Sequence, residues 1–533
     1  MNPGHPIKSQ GKPNLRAILA IAVLSLSLAY AMFHESLRSR WSMVDDPEIA
    51  YFLGSDGHVG LREAGHMLIH DTEVGQYGSF TRYRPAYFGF RLLESWLWND
   101  ELVFWYLTNI VIFAAFITTF WFLASRAIGL VTAGLLTFAM ATAIYWIDVF
   151  GRLGPSEPYV ALGLVVFALG AYLAYRPNPG IGLAWFLISL GTMICTGSKE
   201  NLFVILILLT GIAWDRRRQF RLDFWPRLWL GAAIAWSLWI SGAIALGVLG
   251  TGQDYYHQTV GLSQRGLELA LAIKRPDVIS LFFLLVAFLL AGFAFRKNFR
   301  RLADLSWFVA AGLTFLWFTY LTQFVIYGGD FPNGDRYDVP GMLVWPLAAA
   351  LVLWYLQQMT RVDRFESLHL PVVALCALLA AALAFSQIGG IETAQAKTRK
   401  YVKENEKFTR NVEKLAGILE QNPHDVFVMQ VNNPVLDFAP VFAYDHFLRY
   451  YGVRNPIALL WAGGAPAQYD PLGASIAATF SDISLHGASV LPDSPVRPVD
   501  FAPLAEVEAQ ACVLLLLSSD APERDCHLVY DLP

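Results

Sequence analysis

Apolar residues fall along this chain in long unbroken blocks separated by short polar segments, and those blocks dominate the pattern up to residue 388. A bilayer core about 30 Å thick needs roughly 20 apolar residues per crossing helix. Runs near that length predict eleven helices, at 17–33, 102–123, 128–147, 159–174, 181–195, 202–214, 229–249, 278–295, 305–326, 340–357 and 370–388. Segments 181–195 and 202–214 are short, which suits broken or re-entrant helices. None of the blocks contains Lys, Arg, Asp or Glu; charge is confined to the connections. Past residue 388 the pattern changes to a charged helical stretch, Glu392 to Glu420. Strand-like runs follow at Asp425–Val431, Ala511–Ser518 and His527–Leu532. The predicted fold is an all-α polytopic membrane domain over 1–388, with a long outer loop at 34–101. A small α/β domain outside the membrane, 389–533, completes it.

Composition agrees with this pattern. Of 533 residues, 55% are hydrophobic and only 15% charged, whereas soluble domains carry roughly a quarter charged residues. A net charge of -4 gives no basic footprint for nucleic acid. That excludes a disordered chain, a nucleic-acid binder and an ordinary cytosolic enzyme. The 4 cysteines are too few for a disulfide scaffold and show no CxxC spacing. A hairpin formed by the last two strands would place Cys512 and Cys526 at opposite ends, too far apart for a bridge. A bridge is expected only if those strands run parallel.

Orientation follows from Lys and Arg in short loops. With the N-terminus inside, the inner segments hold 16 basic residues in 61 positions and the short outer loops 6 in 58. Arg216-Arg217-Arg218 and Arg296-Lys297 lie inside, so the C-terminal domain is expected outside. The first helix also carries signal-peptide features, from Lys8, Lys12 and Arg16 to Ala29-Tyr30-Ala31. Its spanning length favours an uncleaved anchor. No Asn-x-Ser/Thr sequon occurs, which favours a bacterial inner membrane.

Polar chemistry gathers in the outer segments. The first loop opens with Asp45-Asp46-Pro47-Glu48, three carboxylates able to supply a general base or a metal ligand. The same residues also read as a helix start, with Asp46 as cap, Pro47 at the first helical position and Glu48 favoured by the dipole. Both readings are compatible if Asp46 caps and Asp45 is left for chemistry. Arg82-Tyr83-Arg84-Pro85 ends the loop: two arginines among aromatics suit phosphate, or alternatively lipid headgroups. Arg152 and Glu157 stand in the next outer loop, and Lys199-Glu200 lie between the two short helices. Charges at a helix break near a membrane are often functional. Asp254-Tyr-Tyr-His257 is a weak metal pattern, and Arg336-Tyr337-Asp338-Val339-Pro340 precedes the tenth helix.

These motifs, in this order and on one side, resemble the GT-C superfamily of lipid-phosphate-sugar-dependent membrane glycosyltransferases. The branch resembled is that of protein O-mannosyltransferases and aminoarabinose transferases. The likeness covers roughly residues 15–360 and leaves the tail unplaced; the acidic motif departs from the more common Asp-Glu form. It implies transfer of a sugar from a polyprenyl-phosphate donor to an acceptor hydroxyl of an envelope glycan, lipid or protein. On that resemblance, Asp45 or Asp46 is the base and Glu157 the third acid of the catalytic set. Arg82, Arg84, Lys199 and Arg336 face the donor phosphate, while Glu48, Arg152, Glu200 and His257 orient substrate. Relatives differ in using a divalent metal, so metal use stays open. The competing reading is a polytopic transporter or a flippase for lipid-linked sugars. Such proteins usually place charge at the bilayer midplane and show repeated halves, neither of which is evident here.

Overall fold

The computed structural model describes residues 15–43, 46, 47, 49, 53, 59–66, 68, 83–176, 180–217, 224–251, 262–297, 299–326, 336–360, 367–423, 426–431, 438–455, 457–461, 512–516 and 529–531. Its α-helices are α1 (Leu15–Phe33), α2 (Leu61–His66), α3 (Pro85–Trp98), α4 (Leu102–Ile128), α5 (Leu130–Ala141), α6 (Tyr145–Phe150), α7 (Glu157–Ala174), α8 (Ile181–Thr196) and α9 (Ile205–Asp215). The series continues with α10 (Phe224–Thr251), α11 (Leu262–Ala272), α12 (Pro276–Phe295), α13 (Arg300–Ile326), α14 (Val344–Met359), α15 (His369–Ser386), α16 (Gly390–Gln421) and α17 (Phe438–Tyr450). The strands are β1 (Val426–Val431), β2 (Ile457–Trp461), β3 (Cys512–Leu516) and β4 (Val529–Asp531).

Among the described residues, 8 helices are long and apolar enough to cross a membrane, and α5 and α8 are shorter apolar helices. Large apolar side chains such as Phe283, Leu290, Leu370 and Phe385 point outward from them. Water would penalise such a surface, and hydrocarbon accepts it. Three of the eleven expected helices differ, and one of them, the 340–357 run, opens as a 3-10 turn, Gly341–Leu343, before α14. The 128–147 run divides at Thr142, giving α5 and the short α6. There the Trp146 indole takes the Met140 carbonyl, and the Thr142 hydroxyl donates back to Phe138. The start of α16 also crosses so closely that a Cβ on Gly390 would lie 2.1 Å from the Thr142 carbonyl oxygen. The 202–214 run opens instead as a 3-10 turn, Glu200–Val204, before α9.

Helices α7 and α8 pack through glycine. A Cβ on Gly191 would lie 2.4 Å from the Phe167 nitrogen, and one on Gly170 2.6 Å from the Ile188 nitrogen. Backbones that close suit a lipid setting, where helices associate by packing of small residues. Consequently Glu157, at the start of α7, and Lys199, just beyond α8, come to the same end of one helix pair.

Helix α16 is polar overall but buries Ala394, Thr398, Asn405, Phe408, Val412, Leu415 and Leu419, spaced three, four or seven apart along one face. That face shares a core with Trp41, Ile49, Leu53, Trp105 and Leu153, and with Phe427, Tyr444 and Phe447. The strands form one sheet in the order β2-β1-β3-β4, all pairs parallel, with Leu514 opposite Val529. The expected hairpin between the last two strands is therefore corrected: β3 and β4 run the same way. The argument that placed Cys512 and Cys526 at opposite ends falls with it, and Cys526 itself lies outside the described residues.

Candidate functional site

Pro85 occupies the first position of α3, where its missing N–H costs nothing, and this leaves Arg84 at the cap. The backbone N–H groups of Ala86 and Tyr87 both donate to the Gly197 carbonyl, at 2.9 and 3.2 Å. The α3 terminus is thereby tied to the turn that precedes Lys199 and Glu200. That contact leaves no room at Gly197, where a Cβ would lie 2.7 Å from the Ala86 side chain. Arg84 turns inward and forks onto Glu200, Nε to Oε1 at 2.9 Å and Nη2 to Oε2 at 2.8 Å. At 6% exposure it is not laid along the surface toward lipid headgroups. Beside it, Tyr83 packs edge-on against Trp239, and burial pushes its hydroxyl up to about 12.

Lys199 and Glu157 form a buried ion pair at 2.6 Å. The Lys199 ammonium also donates to the Arg336 carbonyl at 3.2 Å and lies 5.7 Å from the Tyr337 ring centre. The Glu157 carboxylate feels Lys199, Arg336 and Arg84 together. Arg336 stacks on Tyr337 and donates to its hydroxyl at 3.1 Å. Asn201 holds the Arg336 segment in place, donating to the Val339 carbonyl at 2.6 Å and to Gln323 at 2.9 Å. Five expected residues thus converge: Arg84, Glu157, Lys199, Glu200 and Arg336. They come from four separate stretches of chain.

Asp46 and Arg152 belong to a neighbouring polar cluster. Asp46 is fully buried and accepts the Ser42 backbone N–H at 2.8 Å, while its own carbonyl accepts Ile49. The Tyr106 hydroxyl lies within electrostatic reach of both Asp46 and Arg152. Arg152 also sits over the Tyr401 ring at 5.6 Å, and its carbonyl accepts Asn109 at 2.9 Å. Asp148, on α6, accepts from Lys397 at 2.7 Å and from the Tyr401 hydroxyl. Tyr145, one helical turn earlier, faces Asp338. Segment 145–157 therefore separates the two clusters and serves both. Asp45, Glu48, Arg82 and His257 lie outside the described residues.

Sequence reading missed several residues that shape the site. Arg91 and Glu94, on α3, pair at 3.0 Å with both side chains buried, and Glu94 accepts the Tyr159 hydroxyl. Burial pushes the Glu94 carboxyl up, against the opposing pull of Arg91 and Tyr159. Opposite charges three residues apart on a helix are a visible signal, but nothing in the sequence shows that they face inward. Gln323 stood out only as a lone amide in an apolar run.

Chemically, three cations and two carboxylates at the ends of apolar helices suit an anionic ligand that reaches the site from the membrane. A guanidinium fork occupied by Glu200 matches phosphate oxygens in shape and charge. Among the described residues, no three His, Cys, Asp or Glu side chains converge as a metal-binding group.

No protein-family model and no curated protein matches the chain. Among solved structures, the chain is similar to ArnT from Cupriavidus metallidurans bound to undecaprenyl phosphate, at 13% identity and a TM-score of 0.41, over 90% of this chain and 88% of that one.

Proposed function

We propose that this chain is a polyprenyl-phosphate-sugar-dependent glycosyltransferase of the GT-C type. In this reading it moves a sugar to an acceptor hydroxyl of an envelope glycan, lipid or protein. The observation that carries the reading is the convergence of Arg84, Lys199 and Arg336 around Glu157, at the end of a membrane-type helix bundle. Polyprenyl phosphate is an acceptable leaving group. The protein's task is to remove a proton from the acceptor and to stabilise charge on the departing phosphate. Arg84 would exchange Glu200 for phosphate oxygens, and Lys199 and Arg336 would add positive potential. Glu157 holds Lys199 and orients the sugar or acceptor, while Asp45 takes the acceptor proton. Asp46, buried and bonded to the Ser42 backbone, has a structural role in this reading. A transporter or flippase is less well supported: the described charges gather at helix ends, not at mid-bundle.

Asp45→Asn is expected to lose about 10²-fold or more in turnover while the donor still binds. Asp46→Asn should act chiefly on stability, by about 1 kcal/mol. Both variants are assayed with a radiolabelled polyprenyl-phosphate sugar and by detergent unfolding. Abolished turnover in a fully stable Asp46→Asn protein would reverse the two roles.

We place the site and the C-terminal domain outside an inner bacterial membrane, with the N-terminus in the cytoplasm. The argument is the excess of basic residues in the opposite loops. A reporter inserted at Gly389 should be active only when it matures in a periplasm-type compartment. Activity of a cytoplasm-specific reporter there would invert the assignment.

A further inference from the structure

Polar contacts of the Arg91–Glu94–Tyr159 group and its neighbour Tyr87 reach the chain on either side of Glu157. Upstream, the Tyr87 hydroxyl donates to the Gly154 carbonyl at 2.7 Å, and Arg91 Nη2 to the Pro155 carbonyl at 3.4 Å. Downstream, Tyr159 donates to the same Glu94 oxygen that Arg91 holds. The Arg91 guanidinium is enclosed by the rings of Tyr87, Trp105 and Tyr159, with centroids at 5.3, 5.8 and 5.1 Å. The chain is thus gripped two residues before Glu157 and two residues after it.

This group is poorly built for stability alone. Replacing a buried ion pair by apolar side chains of similar volume is often neutral or stabilising. Here Arg91 Nε and Glu94 Oε1 also lack hydrogen-bond partners among the described residues, which adds a desolvation cost. What an apolar substitute for Arg91 lacks is any means to hold the Pro155 carbonyl, next along the chain from the Gly154 carbonyl that Tyr87 holds. Those two bonds set where α7 begins, and so where the Glu157 carboxylate stands. The same helix carries Arg84 at its N-terminus, so α3 fixes the anionic and cationic halves of the site relative to each other.

We infer that Tyr87, Arg91, Glu94 and Tyr159 are positioning residues that hold the Glu157 carboxylate on Lys199. The catalytic consequence rests on the transferase reading; the positioning itself does not. Two readouts on purified full-length protein separate them. The first is acetylation of Lys199 by acetic anhydride, followed by mass spectrometry, which requires no activity. Glu157→Gln releases Lys199 and sets the reference increase. Tyr159→Phe and Tyr87→Phe, each losing one hydroxyl, should raise Lys199 labelling severalfold, on the scale of a displaced supporting hydrogen bond. Wild-type labelling in both variants overturns the inference, whatever the protein's activity.

The second readout is sugar transfer. Tyr159→Phe should lower kcat by about 10-fold or more and leave the donor KM within about 2-fold. In a Glu157→Gln background it should add almost nothing, because the two residues act as one unit. An equal fold-loss in both backgrounds would show a general structural role and would overturn the inference. If the wild type transfers no sugar from any polyprenyl-phosphate donor, the transferase reading fails, and the labelling result still decides the positioning.

Discussion

Lys199→Met is expected to destabilise the protein by about 3–5 kcal/mol, because it leaves the Glu157 carboxylate buried without its nearest cation. The pair is 2% and 4% exposed at its two side chains, so water cannot replace the lost ammonium. Removing both charges should behave differently. Lys199→Met combined with Glu157→Gln should recover most of the lost stability, since the second change removes the charge that the first one strands. Transfer activity should not return, because both groups are absent from the site. Thermal unfolding in detergent measures the first effect and donor turnover the second. A single variant as stable as the wild type would mean that Glu157 is not charged in the folded protein.

Arg84→Ala should lose about 10²-fold or more in turnover, the scale for removing a preorganised donor aimed at developing charge. Phosphate gains charge as the sugar departs, so the loss should appear in kcat as well as in donor KM. Arg84→Lys keeps the charge but not the planar fork, and should retain part of the activity. If Arg84 served only to neutralise a Glu200 with no role on substrate, the charge-free pair Arg84→Ala with Glu200→Ala would transfer sugar at near the wild-type rate. A role on the donor phosphate predicts that this pair stays as slow as Arg84→Ala. Kinetics of the purified variants with a polyprenyl-phosphate sugar separate the two.

The apolar blocks were legible in the sequence because a membrane helix must satisfy its backbone internally and cover it with apolar side chains. Arg84, Glu157, Lys199, Glu200 and Arg336 were legible as candidates, because charge at the end of an apolar run stands out. Their pairing was not. Arg84 meets Glu200 across 116 residues and Lys199 meets Glu157 across 42, which only the packing of α3, α7 and α8 decides. The break after α5 was hidden for a similar reason: its carbonyls are taken by Trp146 and its neighbour is Gly390, neither visible in local hydropathy. Strand direction failed because two short apolar runs carry no sign of it. For α16 only the charged helical stretch was read from the sequence; that its spaced apolar residues form a face covered by Trp41, Trp105 and Leu153 depends on packing with distant segments.

The most direct measurement of the central claim is transfer of labelled sugar by purified protein in lipid nanodiscs, from a polyprenyl-phosphate sugar to extracted envelope acceptors. The wild type should form labelled product and release polyprenyl phosphate in equal amount, and Glu157→Gln should form almost none. Absence of wild-type transfer across hexosyl and pentosyl donors, together with movement of the intact lipid-linked sugar between leaflets, would contradict the transferase reading and favour a flippase.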